Sequence, residues 1–145
     1  MADILKYICN VRDVNHKYQE IHNNIFGQSV SKLVTGIFTD KRVAFKKYED
    51  VLKMLNVQLM DIQTALNVLP QSELNIRRGK EILLALSSYI TALSISINYL
   101  QKICNEKNSF SDSDGNLVNY KMLYDGSFQH HKHLGVKLNE LLSSY

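Results

Sequence analysis

Along this chain apolar side chains recur at alternating intervals of three and four, with polar residues between them. That period keeps the apolar set on one stripe of an α-helix, whereas strands would need strict alternation. The pattern is fullest at Leu83, Leu86, Ile90, Leu93, Ile97, Leu100 and Cys104, through a stretch, Ile82 to Leu100, with no charge in nineteen residues. Positions off the stripe are also mostly uncharged, among them Ile82, Leu84, Ile95, Ser87, Ser94 and Ser96. A helix apolar on more than one side needs cover on more than one side, so the stretch predicts the central helix of a bundle.

Before it, Ile4, Tyr7, Val11, Val14, Tyr18, Ile21 and Ile25 mark an amphipathic first helix, with Gly27 placed to close it. Val30, Leu33, Val34, Ile37 and Phe38 read as a short helix or ordered connector. Thr39 or Asp40 can cap the next helix through a side-chain oxygen. Its seam runs through Phe45, Tyr48, Leu52, Leu55, Leu59, Ile62, Leu66 and Leu69 to Pro70, which lacks an amide donor and clashes with the preceding turn. Gly79 costs about 1 kcal/mol in a helix interior, so the central helix is expected to start at Lys80 or to bend there. After it, the run NSFSDSDGN predicts a loop and Leu117, Tyr120 and Leu123 a turn or two of helix. Asp125, Gly126 and Ser127 form a second break, and Phe128, His131, Leu134, Leu138, Leu141 and Tyr145 a closing helix. The expected fold is all-α: one domain over residues 1–145, an elongated antiparallel bundle of four or five helices with coiled-coil-like heptad seams.

Composition agrees, since one proline and six glycines leave few breakers in 145 residues. A net charge of +3 is too mild for a dedicated nucleic-acid binder, which makes nucleic acid an unlikely partner. The basic residues fall into two groups, Lys41, Arg42, Lys46 and Lys47, then Arg77, Arg78 and Lys80. Folding back at Pro70 separates them by roughly 40 Å at 1.5 Å per residue, so they form no single stripe. Interspersed Glu49, Asp50 and Asp61 make a solvated face the plainer reading. The start, MADILKYICNVRD, lacks the basic and apolar regions of a secretory signal, and Cys9 and Cys104 lie 95 residues apart. Both features favour reduced thiols and a cytoplasmic location.

Candidate chemistry is sparse. His130 and His133 share a helix face and could ligate a metal, but further ligands would have to come from His16 or His22, without an HxxxH or ExxH pair. The Asp112–Gly115 run fails as a calcium loop, because Phe110 and Lys121 would fall on ligating positions. Arg12 and His16 stand closer together than the Arg–His pair of HEPN ribonucleases, and the glycines form no phosphate-cradling loop. No catalytic set and no cofactor is therefore expected. Elimination leaves a non-enzymatic protein-binding module (adaptor, inhibitor or regulatory subunit), self-associating or in a hetero-complex. Its interaction candidates are Lys41, Arg42, Lys46, Lys47, Arg77 and Arg78. A membrane-active helical protein using residues 82–100 is the alternative, and a metal-dependent or ribonucleolytic enzyme using His16 or His131 the third.

Overall fold

The computed structural model describes residues 2–26, 41–74, 78–108 and 114–143. The described residues form four long helices and one short one: α1 (Ala2–Phe26), α2 (Lys41–Asn67), α3 (Gln71–Leu74), α4 (Gly79–Asn108) and α5 (Asp114–Ser143). The protein is all-helical, with no strand among those residues. Gly27, the apolar run 30–38 and the caps Thr39 and Asp40 lie outside the described residues.

The uncharged stretch is central in space as well as in sequence. Helix α4 packs most extensively against α5 and α2 and also touches α1 and α3. Leu86, Ile90, Leu93, Ile97, Leu100 and Cys104 are all buried, while Ile82 takes the fully buried place expected of Leu83. They join Ile4, Val11, Val14, Tyr18 and Ile21 of α1 and Leu52, Leu55, Leu59, Ile62 and Leu66 of α2 in one core. Burying each such aliphatic side chain contributes about 1.5–3 kcal/mol. Cover is nevertheless incomplete: Leu84, Ser88, Thr91, Ile95 and Asn98 face solvent.

A polar ladder that the heptad reading does not contain fixes α2 against α4. Asn105 donates to Glu49 Oε1 at 3.2 Å, Asn56 Nδ2 to Asn98 Oδ1 at 2.7 Å and to Gln101 Oε1 at 3.1 Å. Ser94 Oγ donates to Asn56 Oδ1 at 2.9 Å and Gln63 Nε2 to Ser87 Oγ at 3.3 Å. The α4 partners thus fall from 105 to 87 as α2 rises from 49 to 63. Glu49 is correspondingly buried, not part of a solvated face, and Lys53 Nζ lies 3.4 Å from its Oε1.

Helix ends follow local chemistry. Val68 and Leu69 donate to Ala65 and Leu66 carbonyls, tightening the last turn of α2 ahead of Pro70. At the start of α4, Arg78 takes φ of 62° and its carbonyl accepts from Ile82 at 2.9 Å. The break expected at 125–127 does not occur: α5 runs through Gly126. An Lys121–Asp125 ion pair spans the site at 2.6 Å, and Ser127 Oγ donates to the Tyr124 carbonyl at 2.9 Å. The decisive term is burial, because Tyr124, fully enclosed, needs the helix to continue to Phe128 and His131 on the same face. Leu123, named in the expected seam, is exposed instead.

Candidate functional site

The histidines named from the sequence are not gathered. His130 and His133 are exposed on α5, and His16 lies 3.4 Å from Glu20 on the surface of α1. Among the described residues no three His, Cys, Asp or Glu side chains converge as a metal site would require. The basic candidates are dispersed as well. Lys46 pairs with Asp50 at 3.2 Å, Lys47 is exposed, and Arg78 is exposed at the opposite end of the α2/α4 pair. Lys41 and Arg42 begin α2 with side chains outside the described set, and Arg77 lies outside it altogether.

What the fold does assemble is a neutral polar network where α1, α4 and α5 meet. Tyr18 on α1 and Tyr124 on α5 hydrogen-bond through their hydroxyls, and His22 Nδ1 sits 2.6 Å from the Tyr124 hydroxyl. Ser96 on α4 bonds His131 Nδ1 at 2.9 Å and donates to Ser127 Oγ at 3.1 Å. The His22 ring stacks on Phe128 at 4.4 Å and 7°, and Lys121 Nζ stands 4.2 Å above the Phe26 ring. Burial pushes Tyr18 and Tyr124 well above the ordinary phenol value and Tyr89 up to about 12. It also lowers His131 to about 4, and lowers His22 with help from nearby Lys121.

These shifts all favour uncharged forms, so the network is neutral at pH 7. Ser96 and His131 have the distance of a nucleophile and its base, yet both are enclosed, and among the described residues no carboxylate orients the imidazole and His131 Nε2 is buried without a partner. The arrangement ties α1, α4 and α5 together through buried side chains.

Beside the network, α1 and α5 are joined through side chains while their backbones stay apart, which leaves a cleft floored by α4. Its volume is about 240 Å³. Ile8, Val11, Leu86 and Leu138 make an apolar floor, with Arg12, Asn15, Tyr89, Gly135 and Asn139 around it. Asn15 Oδ1 is buried there without a hydrogen-bond partner.

A second surface lies on the outside of α2 and α4. Val57 and Met60 are each 60% exposed and Leu84 70%, with Met54, Val68 and Ile95 also open to solvent. Thr64 and Thr91 turn their hydroxyls back onto the carbonyls of Met60 and Ser87 at 3.0 Å, so their methyl groups add to this face. The signal was present in the sequence as apolar residues off the α2 seam. No protein family, curated protein or solved structure matches this chain. The functional reading rests on these surfaces alone.

Proposed function

We propose that this chain is a non-enzymatic protein-binding module that works by burying the outer face of α2 and α4 against a second copy of itself. The observation that carries the reading is the exposure of Met54, Val57, Met60, Leu84 and Ile95 on two adjacent helices, with Val68 just past the end of α2. Exposed large apolar side chains of this kind mark interaction surfaces when they gather on one side of a fold, and Val57, Met60 and Leu84 are each 60% exposed or more. Only Lys53 and Asp61 bring charge to the middle of α2's outer side, and α4 has none between Glu81 and Lys102. A nearly uncharged face meets its own copy about a two-fold axis without like-charge repulsion, whereas the dispersed basic residues would repel theirs.

Within this proposal the bundle is elongated and antiparallel with heptad seams. The falling register of the α2/α4 ladder and the three-four spacing of buried residues support that description. A reducing, cytoplasmic setting belongs to the same proposal and is supported by Cys9 and Cys104, neither of which is held in a disulfide. The test is directed cross-linking: with Cys9→Ser to remove the exposed native thiol, Thr91→Cys should yield a disulfide-linked dimer on mild oxidation. Lys17→Cys, on the exposed side of α1, should not. Equal cross-linking at both positions would count against the α2/α4 face.

A membrane reading also has one observation behind it. Within Gly79–Glu106 an 18-residue window reaches a mean hydropathy of 1.5, long and apolar enough to cross a bilayer, and 44% of that window is buried in the fold. Salt-resistant flotation with neutral liposomes would favour it over the dimer.

A further inference from the structure

The neutral network where α1, α4 and α5 meet holds those three helices unequally. We propose that it is an acid-operated latch: protons added to His131 Nε2 and to His22 release the C-terminal part of α1, Tyr18 to Phe26, from α5 while the rest of the bundle stays packed. The α2/α4 face plays no part in this inference.

Hydrogen-bond direction decides where the proton goes. Ser127 Oγ donates to the Tyr124 carbonyl at 2.9 Å and Ser96 Oγ donates to Ser127 Oγ at 3.1 Å, so each hydroxyl already has its one hydrogen engaged. Ser96 can then only accept from His131 Nδ1 at 2.9 Å, which places the single hydrogen of the neutral imidazole on Nδ1. Nε2 is left as the bare nitrogen, buried with no hydrogen-bond partner among the described residues. A second proton has to land there. It would make a charged N–H without an acceptor in a residue that is 1% exposed.

The groups that face the cluster do not relieve that charge. Helix α1 brings Tyr18 and His22, and α4 brings Tyr89 and Cys104. Helix α5 brings Lys121, Lys132 and His130, which oppose further positive charge, and Asp125, whose carboxylate acts on His22 but is held by Lys121 at 2.6 Å. Burial lowers both histidines in agreement with this geometry.

Packing decides which element yields. Helix α5 lies along α4 in extensive contact, whereas α1 rests mainly on α2 and reaches α5 through side chains. The first part of α1 is anchored by Ile4, Ile8, Val11 and Val14, none more than 3% exposed. Beyond Ile21 the apolar side chains Ile25 and Phe26 are only half-buried, so this end depends on Tyr18 and His22 meeting Tyr124. Helix ends of this kind open locally at lower cost than the core, and an opening that takes up protons is favoured by acid.

Cys104 can report on the latch, because it is buried on α4 close to Tyr124. In the full chain carrying Cys9→Ser, its reaction rate with dithiodipyridine, which modifies thiols in acid as well as at neutral pH, is read at pH 7.5 and pH 5. Each rate is divided by that of the urea-unfolded chain at the same pH. The ratio should rise about tenfold or more at pH 5. The rise should shrink in His22→Gln and vanish in the His22→Gln, His131→Gln double variant. A second reporter separates local release from general unfolding: Val11→Cys, placed in Cys9→Ser, Cys104→Ala, should stay protected at both pH values. An unchanged Cys104 ratio at pH 5, a rise of full size in the histidine variants, or equal exposure of Cys104 and the reporter at position 11 would each overturn the proposal. Should the double variant fail to fold, His22→Gln alone decides, since His22 is half-buried and its replacement leaves the core filled.

Discussion

Burial decides the charge of His131. Its Nδ1 meets Ser96, its ring lies edge-on to Tyr18, Tyr89 and Phe128, and the nearby His22, His130 and Lys132 all oppose a second positive charge. Its pKa is therefore lowered to about 4 in the folded chain, against about 6.5 unfolded. The unfolded state binds the proton first, so stability is greatest above pH 6.5 and falls as pH drops toward 4. Between pH 7.5 and 5 the loss should be about 2 kcal/mol from this residue, with His22 adding in the same direction. Urea melts from pH 7.5 to 5 measure it, and His131→Gln should flatten the dependence. A wild-type stability constant over that interval would mean that His131 is charged or exposed in the fold. Spacing alone put His131 on the inward stripe of its helix, and the structure agrees. Tyr124 could not be found that way, because Leu123 fits the same spacing and the choice between them rests on the hydroxyl partners that α1 supplies.

At the level of the element, α5 contains two glycines with opposite surroundings. A Cβ at Gly126 would meet nothing within 4 Å, whereas one at Gly135 would come within 3.1 Å of Tyr89 Cε2. Gly126→Ala should therefore gain about 1 kcal/mol from helix propensity. Gly135→Ala should lose most of that gain by pressing on the Tyr89 ring. Denaturant melts of the two variants compare them directly, and an equal gain at both sites would mean that α5 does not approach α4 at Tyr89. Helix type and the ends at Asn67 and Gly79 were legible because periodicity, Pro70 and Gly79 act locally. The continuity of α5 was not, since Asp-Gly-Ser is a strong local break signal that the enclosure of Tyr124 overrides. The α2/α4 ladder was illegible for a related reason: Asn56, Gln63, Asn98 and Asn105 look like surface residues until a partner helix is placed beside them.

For the whole molecule the central question is what covers the outer side of α4. The sequence calls for cover on more than one side, and among the described residues α1, α2 and α5 supply it on all but the stripe at 84, 88, 91, 95 and 98. Adjoining Val57, Met60 and Thr64 extend that stripe into a face, and a second copy is the occupant proposed for it. Folding and association should be separable, because Leu84 and Met60 are largely outside the core and charges there do not disturb it. The direct measurement is sedimentation equilibrium across micromolar concentrations for the wild type and for the Met60→Glu, Leu84→Glu double variant. The wild type should approach twice the 16.7 kDa chain mass, and the double variant should stay at the chain mass with an unchanged melt. A wild type that remains a monomer throughout, or a double variant that dimerises as tightly as the wild type, would contradict the account.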